Sequence, residues 1–169
     1  MALLPPLFRK LPVSFFAGAG VVAILIAGVL YMQRGAHVEV KGSILKVRTL
    51  AQQDDSSIAV VDFRFANPSN YPFVVQRVEV SIQGPDGQTY EGATVSEVDA
   101  RNLFNYYPVL GQKYNNSLLP RERVPSHQML DRMIAARFEA PEAKLLNRRD
   151  LVIRVTEVDG AESLIRERP

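Results

Sequence analysis

Hydrophobic and polar positions change their spacing along this chain, and each change predicts a different element. Residues 13–32, Val13 to Met32, carry no charged side chain. A helix of this length spans about 30 Å, the thickness of a bilayer's hydrocarbon core. Pro12 precedes the run, where a helix start tolerates it, and Tyr31 lies where an aromatic ring favours the interface. After the run the period drops to two. Val38 and Val40 alternate with Glu39 and Lys41, and Gly42-Ser43 is read as a bulge or kink before Ile44 to Leu50 resumes as strand. A polar turn at Gln52 to Ser57 leads to Ile58 to Ala66, where Val61, Phe63 and Phe65 oppose Asp62 and Arg64. Asn67-Pro68-Ser69-Asn70 breaks the pattern. Phe73 to Gln83 is the clearest strand, with Val78, Val80 and Ile82 on one face. Gly84-Pro85-Asp86-Gly87 turns it back into Gln88 to Val95.

In the middle the period becomes helical. Ala100, Leu103, Phe104 and Tyr107 fall on one helix face, and Ser96 with Asp99 forms a capping pair, so Glu97 to Tyr106 reads as a short amphipathic helix. Leu130, Met133, Ile134 and Phe138 follow the same spacing, which predicts a second helix from Ser126, turning to strand near Ala135 to Glu139. Pro141-Glu142 opens a third short helix through Leu146. Leu151, Ile153 and Val155 then alternate with polar neighbours, and Asp159-Gly160 is read as a two-residue hairpin turn before Ala161 to Glu167. About seven strands without βαβ alternation predict a mainly β fold. The expected architecture is an antiparallel immunoglobulin- or fibronectin-like β-sandwich with a few short helices, behind a transmembrane helix. The expected organisation is a cytoplasmic tail at 1–12, a transmembrane signal anchor at 13–32, a linker at 33–36 and a sandwich at 37–169.

Charge refines this picture. The chain holds 20 basic and 18 acidic residues, and the excess equals Arg9 and Lys10, ahead of the apolar run. The part after the run is neutral, so the basic balance belongs to the membrane flank and no nucleic-acid partner is expected. The apolar run is longer than a cleaved signal's core, and Gln33-Arg34 stands where cleavage would be wanted, so an uncleaved anchor is expected. Basic residues flank both ends, with Arg34, Lys41 and Lys46 on the far side. A long following domain translocates largely regardless of charge, so the N-terminus is placed in the cytoplasm and the domain in the periplasm or outside.

No cysteine is present, which excludes disulfides, thiolate zinc sites and thiol catalysis. His37 and His127 have no second ligand at metal spacing. Ser126, His127 and Asp131 lack a nucleophile elbow, and Asp54-Asp55 is a lone acidic pair. No catalytic residue, metal or cofactor is expected. Two features point to binding instead. Ala19, Ala23 and Ala27, with Gly20 and Gly28 beside them, make a small-residue stripe on the apolar helix. The segment 102–120 holds Phe104, Tyr106, Tyr107 and Tyr114, no acidic residue and one lysine, Lys113. Tyrosine and asparagine with little charge is the composition of a contact surface. The expected partners are the bilayer and another protein, or a second copy, held through the helix and the 102–120 segment.

The run from Phe65 to Ile82, with Asn67-Pro68 ending one strand, Tyr71-Pro72 before the next, and Gly84 closing it, resembles the water-stress and hypersensitive-response domain of atypical late embryogenesis abundant proteins. Leu151 to Val155 with Asp159-Gly160 is compatible with that domain's closing hairpin. Glu97 to Val124 and Ser126 to Phe138 depart from the pattern. The resemblance implies a fibronectin type III-like sandwich without catalytic residues. In it Asn67 caps a strand end, Pro68 fixes the turn, and the activity is protection of membranes or client proteins during desiccation. The expectation from residues alone is a non-enzymatic accessory or assembly subunit of a membrane or envelope complex. Stress protection is the alternative.

Overall fold

The computed structural model describes residues 13–33 and 39–167, with side chains in the first segment described for 18–29. The chain divides into two units, Met1–His37 and Val38–Pro169. The first contains α1 (Val13–Gln33), so Gln33, expected in the linker, is the helix's last residue. Among the described residues no helix is long and apolar enough to cross a membrane; the described side chains of α1 cover only its middle. The expected tail at 1–12, Arg34, the rest of the linker, and His37 and Val38 lie outside the described residues.

The second unit is built from eight strands: β1 (Lys41–Gln53), β2 (Ser56–Ala66), β3 (Phe73–Gln83), β4 (Thr89–Thr94), β5 (Arg123–Val124), β6 (Met129–Phe138), β7 (Asp150–Glu157) and β8 (Glu162–Arg166). Two short helices, α2 (Glu97–Tyr106) and α3 (Glu142–Leu146), lie between them. The strand order is β1-β2-β6-β4-β3-β7-β8, all antiparallel, with β5 added to β3. β4 joins two layers, pairing with β3 through Thr89–Gly92 and then with β6 through Ala93 and Thr94. One layer is β1-β2-β6 and the other β3-β7-β8. Their inward side chains form one core, including Val61, Phe63, Phe65, Ile134 and Phe138 from the first and Val80, Ile82, Ile153, Val155 and Ile165 from the second. The result is an antiparallel β-sandwich. Val40 N–H donates to Ser163 Oγ at 2.9 Å, which ties the start of the first layer to β8.

Three expected details differ. The helix expected from Ser126 is strand β6. His127 adopts a left-handed φ of 56° in a turn where Gln128 N–H bonds Pro125 C=O, and β6 then lies between β2 and β4. It is buried on both faces: Ile134, Ala136 and Phe138 enter the sandwich, while Met133 and Ala135 face α2. Double burial removes the period-two signature, leaving an apolar run that mimics a helix face. The bulge or kink expected at Gly42-Ser43 falls instead between Ile44 and Lys46. Gly42 serves close approach, since a Cβ there would lie 2.6 Å from Arg64 O. The Asp159-Gly160 hairpin has a three-residue loop, because Glu157 N–H bonds Ala161 C=O and Gly160 takes φ 87°.

Candidate functional site

The outer face of β2 and β6 carries a second apolar cluster, Ile58, Val60, Met133 and Ala135, which an ordinary sandwich would leave to solvent. The segment from Ser96 to Leu118 covers it. α2 starts where Ser96 Oγ accepts from Asp99 N–H at 3.1 Å and donates to the Asp99 carboxylate at 2.7 Å. The helix puts Ala100 against the sheet, with Leu103 and Phe104 packed beside it. A single 3₁₀ turn at Pro108–Leu110 then buries Leu110 in the same cluster. The chain returns along β6, where Met133 N–H bonds Asn116 C=O and Leu118 N–H bonds Met133 C=O, each at 2.9 Å.

A buried ion pair pins this layer down. Arg48 on β1 and Asp62 on β2 meet at 2.5 Å, with side chains 8% and 3% exposed. The other Arg48 amine donates to Leu110 C=O and Gln112 C=O at 2.8 Å each, and Asn115 Nδ2 donates to Asp62 Oδ1 at 2.9 Å. The guanidinium also lies 4.8 Å from the Phe104 ring centroid and 5.6 Å from that of Tyr114. Arg48 therefore holds residues 104, 110, 112 and 114 from below, while Asp62 neutralises it and fixes Asn115. Beside them Glu97 accepts from Lys113 Nζ at 2.7 Å and Ser117 N–H at 3.0 Å. Burial pushes the Glu97 carboxyl up, but the bonds from Lys113 and Ser117 outweigh it and leave its pKa below the ordinary range. Ser117 Oγ approaches the same carboxylate without hydrogen-bond geometry.

The four aromatic candidates separate into two kinds. Phe104 is half-buried under the layer, and Tyr107 is at its margin. Tyr106 and Tyr114 are 78% and 63% exposed, and Val109 stands out beside them in sequence. Ala19, Gly20, Ala23, Ala27 and Gly28 are all exposed on α1, and a Cβ at Gly20 or Gly28 would meet nothing within 4 Å. Asn67 is fully buried. Its Nδ2 donates to Tyr71 C=O at 2.7 Å and Val124 C=O at 3.1 Å, its Oδ1 accepts from Ser69 N–H, and Pro68 sits inside that loop. Asp159 and Gly160 form the β7–β8 loop.

No protein-family model and no curated protein matches the chain. Solved structures that are similar at a distance include two β-rich proteins. An uncharacterized β-sandwich protein from Clostridium difficile 630 aligns at 9% identity over 77% of this chain and 86% of that chain, with a TM-score of 0.38. The archaellum periplasmic stator protein FlaG from Sulfolobus acidocaldarius aligns at 13% identity over 75% of this chain and 98% of that chain, with a TM-score of 0.33. No family model supports the likeness to the water-stress domain, which rests on Phe65 to Gly84 and the compatible hairpin at Leu151 to Gly160.

The pair that organises the site, Arg48 and Asp62, escaped the sequence reading. Asp62 alternates with Val61 and Phe63, a pattern that predicts the solvent face of a two-layer sandwich. The third layer buries it. Among the described residues no group of three or more histidine, aspartate or glutamate side chains could hold a metal ion.

Proposed function

We propose that this chain is a non-enzymatic, membrane-anchored binding module that serves as an accessory or assembly subunit of a membrane or envelope complex. One observation carries the proposal. A segment poor in charge is fixed on a rigid sheet by a buried ion pair, and it holds Tyr106 and Tyr114 out to solvent. Exposed tyrosines on a pinned backbone lose little entropy on binding, which is how a contact surface gains affinity. Anchoring is supported by the uncharged run 13–32 and by the 21-residue helix that contains it. In this proposal α1 crosses the inner membrane, the N-terminus is cytoplasmic and the sandwich is periplasmic or extracellular. The stripe at Ala19, Gly20, Ala23, Ala27 and Gly28 faces a neighbouring helix.

The test is extraction of the full-length chain from its own membranes in mild detergent, followed by native mass spectrometry. A stoichiometric assembly that dissociates when Tyr106 and Tyr114 are both changed to Ser is the expected result. A complex unchanged by that double variant would remove the tyrosine surface from the proposal. Stress protection is the second reading, favoured by the resemblance over residues 65–82. A lone monomer whose loss lowers survival of drying would support it.

A further inference from the structure

The sheet has a gap where β4 leaves β3. β4 pairs with β3 only from Val80 to Gln83. On the same side β5 pairs with Phe73 and Val74, and Val75 bonds Glu122 C=O and Arg121 N–H. Among the described residues no strand pairs with residues 76–79 on that side. Peptide groups alternate direction along a strand. Gln83 C=O accepts from Arg149 on the β7 side, and Gly84 N–H donates to Gln88 on the β4 side. Counting back, Val78 turns its N–H and C=O toward the gap.

Behind the gap lies a cleft of about 330 Å³, walled by Val78, Val95, Leu118 and Ile134, with Glu97 and Ser117 at its polar end. Ser117 is 7% exposed; its Oγ lies beside the Glu97 carboxylate, and no donor reaches its lone pairs. A hydroxyl that turns its proton to a carboxylate keeps its lone pairs free, so this one can accept from an incoming N–H.

We propose that this cleft receives an extended segment of a partner protein. The segment adds a short strand beside residues 76–79 and exchanges both main-chain bonds with Val78. One of its apolar side chains enters between Val78, Val95, Leu118 and Ile134, and one of its peptide groups bonds Ser117 Oγ. An extended peptide alternates main-chain groups with side chains, so it meets both needs at once. A lipid or alkyl chain would fill the apolar walls but leave the Val78 main chain unpaired. The proposal deepens the binding-module reading and rests on it, but uses residues other than Tyr106 and Tyr114.

The experiment is NMR of the isotope-labelled full-length chain in nanodiscs, titrated with a blocked heptapeptide that alternates threonine with valine or leucine. The expected result is a saturable shift of the Val78 amide and the Leu118 and Ile134 methyls, with slower hydrogen exchange at Val78. Ser117→Ala should weaken binding by about five- to ten-fold, the effect of one hydrogen bond, with the spectrum of the fold intact. Val95→Trp, which fills the cleft, should abolish the shifts. Unchanged spectra at saturating peptide overturn the proposal. So do equal methyl shifts produced by butane with no slowing at Val78. If the tyrosine double variant dissolves a native complex while the peptide does nothing, the cleft proposal falls and the tyrosine surface stands. Peptide binding at the cleft without any effect of the tyrosine variant leaves the reverse.

Discussion

Asp62 shows how one buried residue controls a surface. Its carboxylate neutralises Arg48, which in turn holds Leu110 and Gln112 by their carbonyls. Asp62→Ala leaves a buried guanidinium unpaired and should destabilise the domain by about 3–5 kcal/mol, read by urea unfolding of the full-length chain in detergent. Arg48→Met combined with Asp62→Leu should recover most of that loss, because no charge is then buried; a double variant as unstable as the single one would refute the ion-pair account. Glu157 makes a second prediction, on pH. Glu157 is 4% exposed, and burial raises its carboxyl pKa above the ordinary 4.5, with Asp159 adding to the rise and a bond from Val74 N–H opposing it. The unfolded chain ionises first as pH climbs, so this group's contribution is full below pH 4.5 and is lost as pH rises through the higher folded pKa. Glu157→Gln should therefore stabilise the protein at pH 7 and give no such gain at pH 4. Neither residue was legible in the sequence as buried. Both occupy positions of ordinary strand alternation or strand ends, and burial came from distant segments.

At the scale of elements, legibility followed the polar residues left in the pattern. β2, buried on both faces, still shows Asp62 and Arg64 between Val61, Phe63 and Phe65, whereas Met133 to Ala136 of β6 are apolar without a break. β3 and α2 match their expected limits, because each has one buried face and a clear terminator: the Gly84-Pro85 turn for β3, and the Ser96 cap for α2. β6 reads as a helix because that apolar run has no polar residue to mark a strand. A bulge was visible in hindsight: the buried set passes from Phe73 and Val75 to Val78, Val80 and Ile82, a change of phase at Gln76, where the β3–β7 register shifts. Removing the cap tests whether α2 is held locally or by the layer. Ser96→Ala should cost about 1 kcal/mol by the loss of one helix-terminal bond. Amide exchange should quicken first at residues 97–100, while the sandwich strands stay protected. Gly42→Ala presses a methyl on a backbone carbonyl and on Ile165, so it should cost about 1–3 kcal/mol in thermal unfolding, by the usual penalty of overpacking. A neutral outcome would mean that β1 can move away from β8 without loss.

For the whole molecule, the two units have different solvents in the proposed arrangement, and this can be separated experimentally. The second unit has its own two-sided core and a near-even charge balance, 17 basic and 18 acidic residues, with ion pairs spread over its surface, such as Arg64–Asp131 at 2.6 Å and Arg166–Asp150 at 2.8 Å. The buried residues that form that core lie between Val40 and Ile165. In the apolar run, by contrast, the described side chains, 18–29, are exposed throughout. Burying such a helix in lipid removes a large apolar area from water, at roughly 25 cal/mol per Å². The full-length chain should therefore stay with membranes through alkaline carbonate washing, and a chain lacking residues 1–33 should be released and keep its cooperative unfolding transition. Protease added to spheroplasts should cut the second unit, since the proposal puts it outside. Release of the full-length chain by carbonate would remove the anchor. Retention with complete protease protection would keep the anchor and reverse its orientation, placing Tyr106 and Tyr114 among cytoplasmic partners instead.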